Sequence, residues 1–398
     1  MSPTTCDISF DNNPSRVFYG GQLLSGRVVL KLFKEKTVRG IYVKIIGRAY
    51  CKWTTGSKDN KKTHIGEEYY LNNKTFFVGG ESGEVIVQPG EYNYTFSCAL
   101  PAALPTSVEG DTGFIRYSVI VNLDRPMWPD QEFEEFFTVL KPLNLNDDIS
   151  LRYPVSRELR KTFFICCLLC CCETDPFFIN ARLPVGGYTA GQAIELFLDI
   201  NNKSDETFNE LQVQIVKHIQ YYTHANSSRT TSDVIELAEN RCGGCAKNQA
   251  KTYKINVTVP PVPPTDESTS NIVKVTYRLR VRGSAGCCRE DPVLDIPITI
   301  GTYPILLSNV LGQNTITQQP TPLASYPSNN YNEPAILPLL PSEDSGPTAP
   351  PFTSIEGIDP PTYEEATSAK PTDADAKTFK PSYPVFRRTP SYSTETNN

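Results

Sequence analysis

The chain contains an internal repeat, and this repeat limits the possible folds more than any other feature. Turn residues and strand patterns recur in the same order at an offset of 170 residues (191 − 21 and 211 − 41), which falls to 159 or 160 further on. A shorter loop in the second copy explains the change, because surface loops tolerate deletions. The matching positions are Gly21-Gln22 with Gly191-Gln192, Ile41, Val43 and Ile45 with Leu211, Val213 and Ile215, Leu100-Pro101 with Val259-Pro260, and Arg116–Val119 with Thr276–Leu279.

Each copy has the pattern of β-strands. Apolar residues occupy every second position at Ile41, Val43 and Ile45 and again from Ile115 to Leu123, which is typical of strands with one buried face. Clusters of Gly, Pro and Asn separate these strands, and no helical period of comparable length is present. The sequence predicts an all-β protein of two tandem immunoglobulin-like β-sandwich lobes. The predicted boundaries are an N-lobe at 6–145, a linker at 146–174 and a C-lobe at 175–305.

The composition changes after Leu307. Many of the 33 prolines are in this part of the chain, among polar runs such as Ser342-Glu343-Asp344-Ser345. Such a segment cannot bury enough apolar surface to offset the conformational entropy lost on ordering. Residues 306–398 are therefore predicted to form a disordered, proline-rich tail.

The tail contains one Pro-Pro-x-Tyr motif, Pro360-Pro361-Thr362-Tyr363. Consecutive prolines favour the polyproline II helix, which aromatic grooves of WW domains bind at low entropic cost. Pro360 and Pro361 are predicted to stack in such a groove, and Tyr363 to enter a second pocket. The alternative is a chance match in a proline-rich segment. Pro381-Ser382-Tyr383 is not a second motif, because it lacks the second proline and the spacing.

Five cysteines stand close together between the two repeats, beside apolar residues and after Arg157, Arg160 and Lys161. Cysteines with apolar neighbours and a basic flank are candidates for S-acylation, which would hold the protein at a membrane. Two alternatives remain open: burial as small apolar side chains, and a metal site. The candidate residues are Cys166, Cys167, Cys170, Cys171 and Cys172.

A second cysteine group is interpreted as coincidence. Cys242-Gly243-Gly244-Cys245 has the spacing of half a zinc site. The adjacent pair Cys287-Cys288 would have to supply the other half, and neighbouring cysteines rarely place both sulfurs on one tetrahedral ion. We therefore predict no metal and no cofactor.

The sequence argues against several classes of function. The three histidines, His64, His218 and His224, lie outside any hydrolase or metalloprotease motif, so no enzyme is predicted. A net charge of −6 without a basic stripe argues against nucleic-acid binding. The first residues lack a secretory signal pattern, which predicts a cytoplasmic protein with reduced cysteines.

Three stretches of the two lobes resemble the arrestins, and specifically the alpha-arrestin or arrestin-domain-containing branch. The resemblance covers about residues 6 to 305. The stretches are Leu104–Gly110 with Gly113–Pro126, Lys161–Cys167 with Tyr188–Gln192, and Ile296–Pro304.

The resemblance implies the arrestin fold and an adaptor function. Members of this branch link membrane receptors or transporters to HECT-type ubiquitin ligases, whose WW domains bind Pro-Pro-x-Tyr motifs. It implies a cytoplasmic protein recruited to the plasma membrane and endosomes, where it promotes cargo ubiquitination, endocytosis and sorting. The acidic first strand around Asp7 and Asp11 departs from the lysine-bearing, phosphate-reading branch. The alternative function is an endosomal sorting or signalling scaffold that acts without ubiquitin.

Overall fold

The computed structural model describes residues 4–57, 60–167, 170–284, 290–306 and 379–385, with the backbone alone from 164 to 172. Across these ranges no α-helix occurs, and one turn of 3-10 helix spans Ile149–Arg152. The side chain of Asp148 caps this turn by accepting the amide of Ser150 at 2.9 Å.

The N-lobe is a sandwich of two principal sheets, which are antiparallel except where Val17–Tyr19 pairs parallel with the end of Gln131–Leu140. One sheet has the order β1-β3-β8, and the other has the order β2-β11-β10-β5-β6, with β9 beside β10. The strands are β1 (Thr4–Phe10), β2 (Val17–Tyr19), β3 (Leu23–Leu32), β4 (Lys36–Val38), β5 (Gly40–Thr55), β6 (Lys62–Gly79), β7 (Val85–Val87), β8 (Gly90–Ala99), β9 (Val108–Glu109), β10 (Gly113–Asp124) and β11 (Gln131–Leu140).

The C-lobe repeats this arrangement. Its sheets have the orders β12-β15-β17-β20 and β16-β22-β21-β18-β19, and β13 with β14 forms a separate hairpin. The strands are β12 (Val155–Lys161), β13 (Phe164–Cys167), β14 (Cys170–Glu173), β15 (Phe177–Leu183), β16 (Gly187–Thr189), β17 (Ala193–Asn202), β18 (Phe208–Tyr222), β19 (Thr230–Cys245), β20 (Gln249–Thr258), β21 (Val273–Gly283) and β22 (Val293–Gly301).

The apolar residues of the alternating pattern form the core of each lobe. Ile41, Val43 and Ile45 on β5 are buried, as are their counterparts Leu211, Val213 and Ile215 on β18. Alternate residues face opposite sides of a strand, so the period of two gives each sheet one buried face. The prediction of an all-β, two-lobed protein is confirmed.

The repeat extends to individual hydrogen bonds. The hydroxyl of Tyr117 donates to the carbonyl of Pro105 at 2.7 Å in the N-lobe, and Tyr277 donates to Pro263 at 2.6 Å in the C-lobe. Both tyrosine side chains are buried, and each hydroxyl ties the strand that carries it to the segment before it.

The turns of the two lobes are also equivalent. Gln22 accepts the amide of Tyr19 with its side-chain oxygen, and Gln192 accepts that of Thr189. Gly21 and Gly191 precede these glutamines with φ values of 89° and 88°. This left-handed region strains residues that carry a Cβ, which explains why both turns use glycine.

The stretch 146–174, predicted as a linker, contains a strand of the C-lobe. Val155–Lys161 pairs antiparallel with β15 along its whole length, at the edge of the sheet. An edge strand buries little surface, and four of its seven residues are exposed. Its sequence therefore has no clear alternation of apolar residues.

A search of the described residues finds no helix with the length and apolarity needed to cross a bilayer.

Candidate functional site

The two sites predicted from sequence lie largely outside the structural description. Pro360, Pro361 and Tyr363 fall in the undescribed range 307–378. The cysteine cluster is described only as backbone: Phe164–Cys167 pairs with Cys170–Glu173, so that Cys166 lies opposite Cys171 and Cys167 opposite Cys170. The described residues instead direct attention to the junction between the lobes.

At one end of the junction, Asp233 of β19 contacts the loop before β10. Thr112 donates to this carboxylate twice, from its amide at 3.0 Å and from its hydroxyl at 2.7 Å. The hydroxyl of Tyr221 donates to the same carboxylate at 2.7 Å. One C-lobe carboxylate therefore holds an N-lobe loop and a neighbouring tyrosine together.

This carboxylate is stabilised in its charged form. Burial by itself would raise the pKa of Asp233, but the hydrogen bonds from Thr112 and Tyr221 outweigh it, so that the pKa lies below its usual value. The pKa of Tyr221 is raised, first by burial and then by its bond to Asp233. Tyr221 therefore remains a hydrogen-bond donor at neutral pH.

A second polar contact links β6 to the C-lobe. Glu68 accepts the backbone amide of Asn271 at 3.0 Å and the hydroxyl of Tyr70 at 2.8 Å. Ser270 stands between them, since its hydroxyl lies 2.7 Å from that of Tyr70 and 3.3 Å from Glu68. The amide of Asn271 is thus bound by a carboxylate of the other lobe.

A cleft of about 640 Å³ lies beside these contacts and has one wall from each lobe. Thr63, His64 and Ile65 line the N-lobe side, and the loop from Thr223 to Arg229 lines the other. The ring of His64 stacks on Trp53 at 5.2 Å, and its Nε2 lies 2.9 Å from the hydroxyl of Thr55. Most of the side chains that line the cleft are polar.

The opposite end of the junction is closed by the connection between the lobes. Lys141 forms an ion pair of 3.4 Å with Asp266. The amide of Leu143 donates to the hydroxyl of Thr302 at 2.8 Å, and Asn144 forms a parallel bridge with Tyr303. The chain leaving the N-lobe is therefore attached to the last strand region of the C-lobe.

A short segment from the far end of the chain packs against this part of the junction. Phe379–Val385, called here the tail segment, contacts β11 and the loop before β9. The ring of Phe379 stacks on that of Phe136, with centroids 5.1 Å apart. The amide of Ser382 donates to the hydroxyl oxygen of Thr138 at 3.0 Å. The hydroxyl of Tyr383 donates to the carbonyl of Ser107 at 2.8 Å.

Both lobes surround the second half of the tail segment. A small cavity of about 40 Å³ beside Tyr383 and Pro384 has walls from each lobe. The pKa of Tyr383 is raised by burial first and by nearby Glu109 second, which keeps its hydroxyl protonated. The other residues lining the cavity are Tyr19 and Leu140 of the N-lobe and Thr189, Ala190, Val262, Pro264, Gly301 and Thr302 of the C-lobe.

The described cysteines are poorly suited to thiolate chemistry. Burial raises the pKa of Cys242 to about 11, with a smaller contribution from Glu210, and burial also raises the pKa of Cys245. Both therefore remain thiols at neutral pH. Across the described ranges, no group of three or more potential metal-ligating side chains occurs. Cys287 and Cys288 lie outside those ranges.

Sequence reasoning did not identify the tail segment, which lies within the stretch predicted to be disordered. A signal was present: Phe379, Pro381, Tyr383 and Pro384 fall within six consecutive residues. The sequence contained no information on the surface that receives them. That surface exists only once β11, the loop before β9 and the C-lobe are assembled.

Comparison with protein families gives matches on both lobes. The model described as arrestin (or S-antigen), N-terminal domain, matches residues 6–146, and arrestin (or S-antigen), C-terminal domain, matches residues 173–305.

Individual relatives match over most of the chain. Arrestin domain-containing protein 17 of Caenorhabditis elegans is 27% identical over 313 residues, 74% of this chain and 70% of the relative. Thioredoxin-interacting protein of Homo sapiens is 25% identical over 381 residues, 89% of this chain and 94% of the relative. Arrestin domain-containing protein 1 of Rattus norvegicus is 26% identical over 345 residues, 86% of this chain and 70% of the relative.

Proposed function

Because the chain belongs to the arrestin family, we propose that it is a cytoplasmic trafficking adaptor that joins membrane cargo to a WW-domain ubiquitin ligase of the HECT type. The observation that carries this proposal is the Pro360-Pro361-Thr362-Tyr363 motif placed after two arrestin lobes. The lobes select the cargo and the motif recruits the ligase. The proposed outcome is cargo ubiquitination, endocytosis and sorting.

The adaptor acts by proximity. The ligase supplies the covalent chemistry, and the adaptor makes its encounter with cargo lysines intramolecular within one complex. The recognition elements of the motif are Pro360 and Pro361, which stack in the aromatic groove of a WW domain, and Tyr363, which fixes direction and register. No catalytic residue of this chain is required.

We assign cargo binding to the cleft between the lobes. Its walls come from β6 and from the loop Thr223–Arg229, so a bound segment contacts both lobes at once. His64, His224 and Arg229 provide polar and cationic groups there. The cargo class we propose is a cytoplasmic segment of a receptor or transporter.

Peripheral membrane association is part of the proposal. The β13–β14 hairpin places Cys166, Cys167, Cys170 and Cys171 in two facing pairs at its end, next to Cys172. Among the described strands this hairpin pairs with no other strand, so acylation of its cysteines is proposed to leave the pairing of both sandwiches unchanged. Such anchoring fits recruitment to the plasma membrane and endosomes.

The test compares Tyr363→Ala with Tyr331→Ala, a tyrosine elsewhere in the tail. Tyr363→Ala is expected to abolish pulldown of a WW-domain HECT ligase, while Tyr331→Ala retains it and both variants keep the thermal unfolding temperature of the parent. Ligase binding that survives Tyr363→Ala contradicts the docking proposal. Cargo turnover that is insensitive to Tyr363 favours the ubiquitin-independent scaffold.

A further inference from the structure

The tail segment contacts the lobes through three different kinds of interaction. An aromatic ring stacks on Phe136, a backbone amide donates to Thr138, and a side-chain hydroxyl donates to the carbonyl of Ser107. Pro381, between these contacts, is buried. The ring stack and the tyrosine hydrogen bond depend on side-chain identity, whereas the amide contact needs only a residue other than proline, so the surface favours a segment that carries both aromatic residues.

The receiving groups are held in place by the N-lobe itself. The amide of Ser107 donates to the carbonyl of Val139 at 2.8 Å, and the hydroxyl of Ser107 accepts the amide of Val139 at 2.9 Å. These bonds align the Ser107 carbonyl that Tyr383 uses. The amide of Thr138 is likewise fixed, since it donates to the carbonyl of Arg16 at 2.8 Å.

Tyr383 and Pro384 lie between the lobes, so both lobes contribute to this binding surface. Tyr19 and Leu140 approach them from the N-lobe, and Val262 and Pro264 approach them from the C-lobe. A segment bound here buries surface on both lobes together. Binding of the tail segment therefore depends on the relative position of the two lobes.

We propose that the junction is a binding site for a peptide of the form Phe-x-Pro-x-Tyr-Pro, that its ligand is the chain's own Phe379–Val385, and that this anchoring holds Pro360-Pro361-Thr362-Tyr363 on a short tether beside the lobes. The tether part of the proposal rests on the proposed function. The peptide site stands without it.

The tether follows from chain length alone. Tyr363 precedes Phe379 by 16 residues (379 − 363), which span at most about 55 Å whatever their conformation. Without the anchor, the motif is joined to the lobes only at Leu306, 54 residues before Pro360 (360 − 306), with a reach of up to about 190 Å. Anchoring therefore keeps a bound ligase close to cargo held by the lobes.

Binding within one molecule is favoured over binding between molecules. A ligand joined to its own site has an effective concentration in the millimolar range for a short flexible connection, and lower for a longer one. At micromolar protein the chain's own segment therefore outcompetes that of a second copy. Binding of the tail segment to a second copy would increase with protein concentration, whereas binding within one molecule would not. The concentration dependence therefore distinguishes the two kinds of binding.

Hydrogen–deuterium exchange of the full chain tests the peptide site. In the parent protein, amides of Phe379–Val385 and of Phe136–Leu140 are expected to be protected. Tyr383→Ala is expected to accelerate exchange in Phe379–Val385 by about tenfold or more, while Phe136–Leu140 stays protected by its own hydrogen bonds within the N-lobe. Tyr383→Phe keeps the ring and removes one hydrogen bond, so about fivefold is expected. Tyr331→Ala is the matched control and leaves both segments unchanged.

A synthetic peptide covering residues 376–388 supplies the second measurement. Labelled with a fluorophore and added to full-length Tyr383→Ala, it is expected to bind, seen as a rise in fluorescence anisotropy, and the same peptide with Ala in place of Tyr is not. The site is overturned if Tyr383→Ala leaves Phe379–Val385 as protected as in the parent, if the peptide does not bind, or if protection of Phe379–Val385 in the parent rises with protein concentration.

Lysine cross-linking tests the tether in the same proteins. Lys370 and Lys377 lie between the motif and the tail segment. Their cross-links to lysines of the lobes are expected to fall severalfold in Tyr383→Ala, and unchanged cross-links overturn the tether. An isolated WW domain is expected to bind Tyr383→Ala as it binds the parent. If a WW domain binds neither protein, the proposed function fails while the peptide site remains supported by exchange.

Discussion

Thr112 and Asp233 belong to different lobes and share two hydrogen bonds, from the threonine amide at 3.0 Å and its hydroxyl at 2.7 Å. The pair fixes the loop before β10 to β19, next to the cleft proposed for cargo. Tyr221 donates to the same carboxylate, so three donors converge on one side chain. Loss of the carboxylate leaves all three without that acceptor.

Asp233→Ala is expected to loosen the contact between the lobes and to lower the free energy of unfolding by about 2 kcal/mol, because hydrogen bonds to a charged group are stronger than neutral ones. The measurement is urea unfolding, together with hydrogen exchange at Gly110–Gly113. Asp205→Ala removes an exposed aspartate of the same lobe and serves as control. Equal effects of the two substitutions would show that the junction does not depend on Asp233.

The same carboxylate predicts a pH dependence. Its pKa is lower in the folded protein than in the unfolded chain. Its contribution to stability is therefore fully present above the unfolded value, about 3.9, and is lost as the pH falls through the folded value. The difference in unfolding free energy between the parent and Asp233→Asn is expected to be constant from pH 7 to 5 and to shrink below pH 4. A difference that grows on acidification would contradict this assignment.

Tyr117→Phe and Tyr277→Phe test the equivalence of the lobes. Each substitution removes one buried hydroxyl and its bond to a proline carbonyl, so each is expected to cost about 1–2 kcal/mol of unfolding free energy. Tyr69→Phe is the control, because Tyr69 is 54% exposed and donates to Glu67 at the surface. That variant is expected to change stability by less than about 0.5 kcal/mol. A large cost in one lobe and none in the other would contradict the structural repeat.

Replacement of the five clustered cysteines by alanine tests S-acylation. Capture of hydroxylamine-sensitive thioesters from cells is expected to recover the parent protein and to lose the variant carrying Ala at 166, 167, 170, 171 and 172. The membrane-bound fraction is expected to fall with it, since a single acyl chain or basic charge alone binds membranes weakly. Cys98→Ala, at a buried N-lobe cysteine, is the control. Free thiols at all five positions of the parent protein would contradict S-acylation and leave burial or metal binding as the explanation of the cluster.

Much of the fold could be predicted because its causes are local. The alternation at Ile41, Val43 and Ile45 indicates which face of the strand is buried. Its recurrence at Leu211, Val213 and Ile215 indicates a second sandwich. Gly21 and Gly191 mark equivalent turns because only glycine adopts their φ without strain. The edge strand β12 resembles a linker in sequence because four of its seven residues are charged and it buries little surface.

The sequence by itself determined the strand periodicity, the duplication and the presence of a Pro-Pro-x-Tyr motif, since each of these is a pattern of residues that can be seen in the sequence alone. Only the tertiary structure decided which residues meet at the junction. Thr112 reaches Asp233 across 121 positions, and Tyr383 reaches Ser107 across 276. Such contacts depend on how two finished lobes and a distant tail segment pack. The spacing of residues in the sequence does not predict this packing, because the surfaces involved form only after each sandwich has buried its own core.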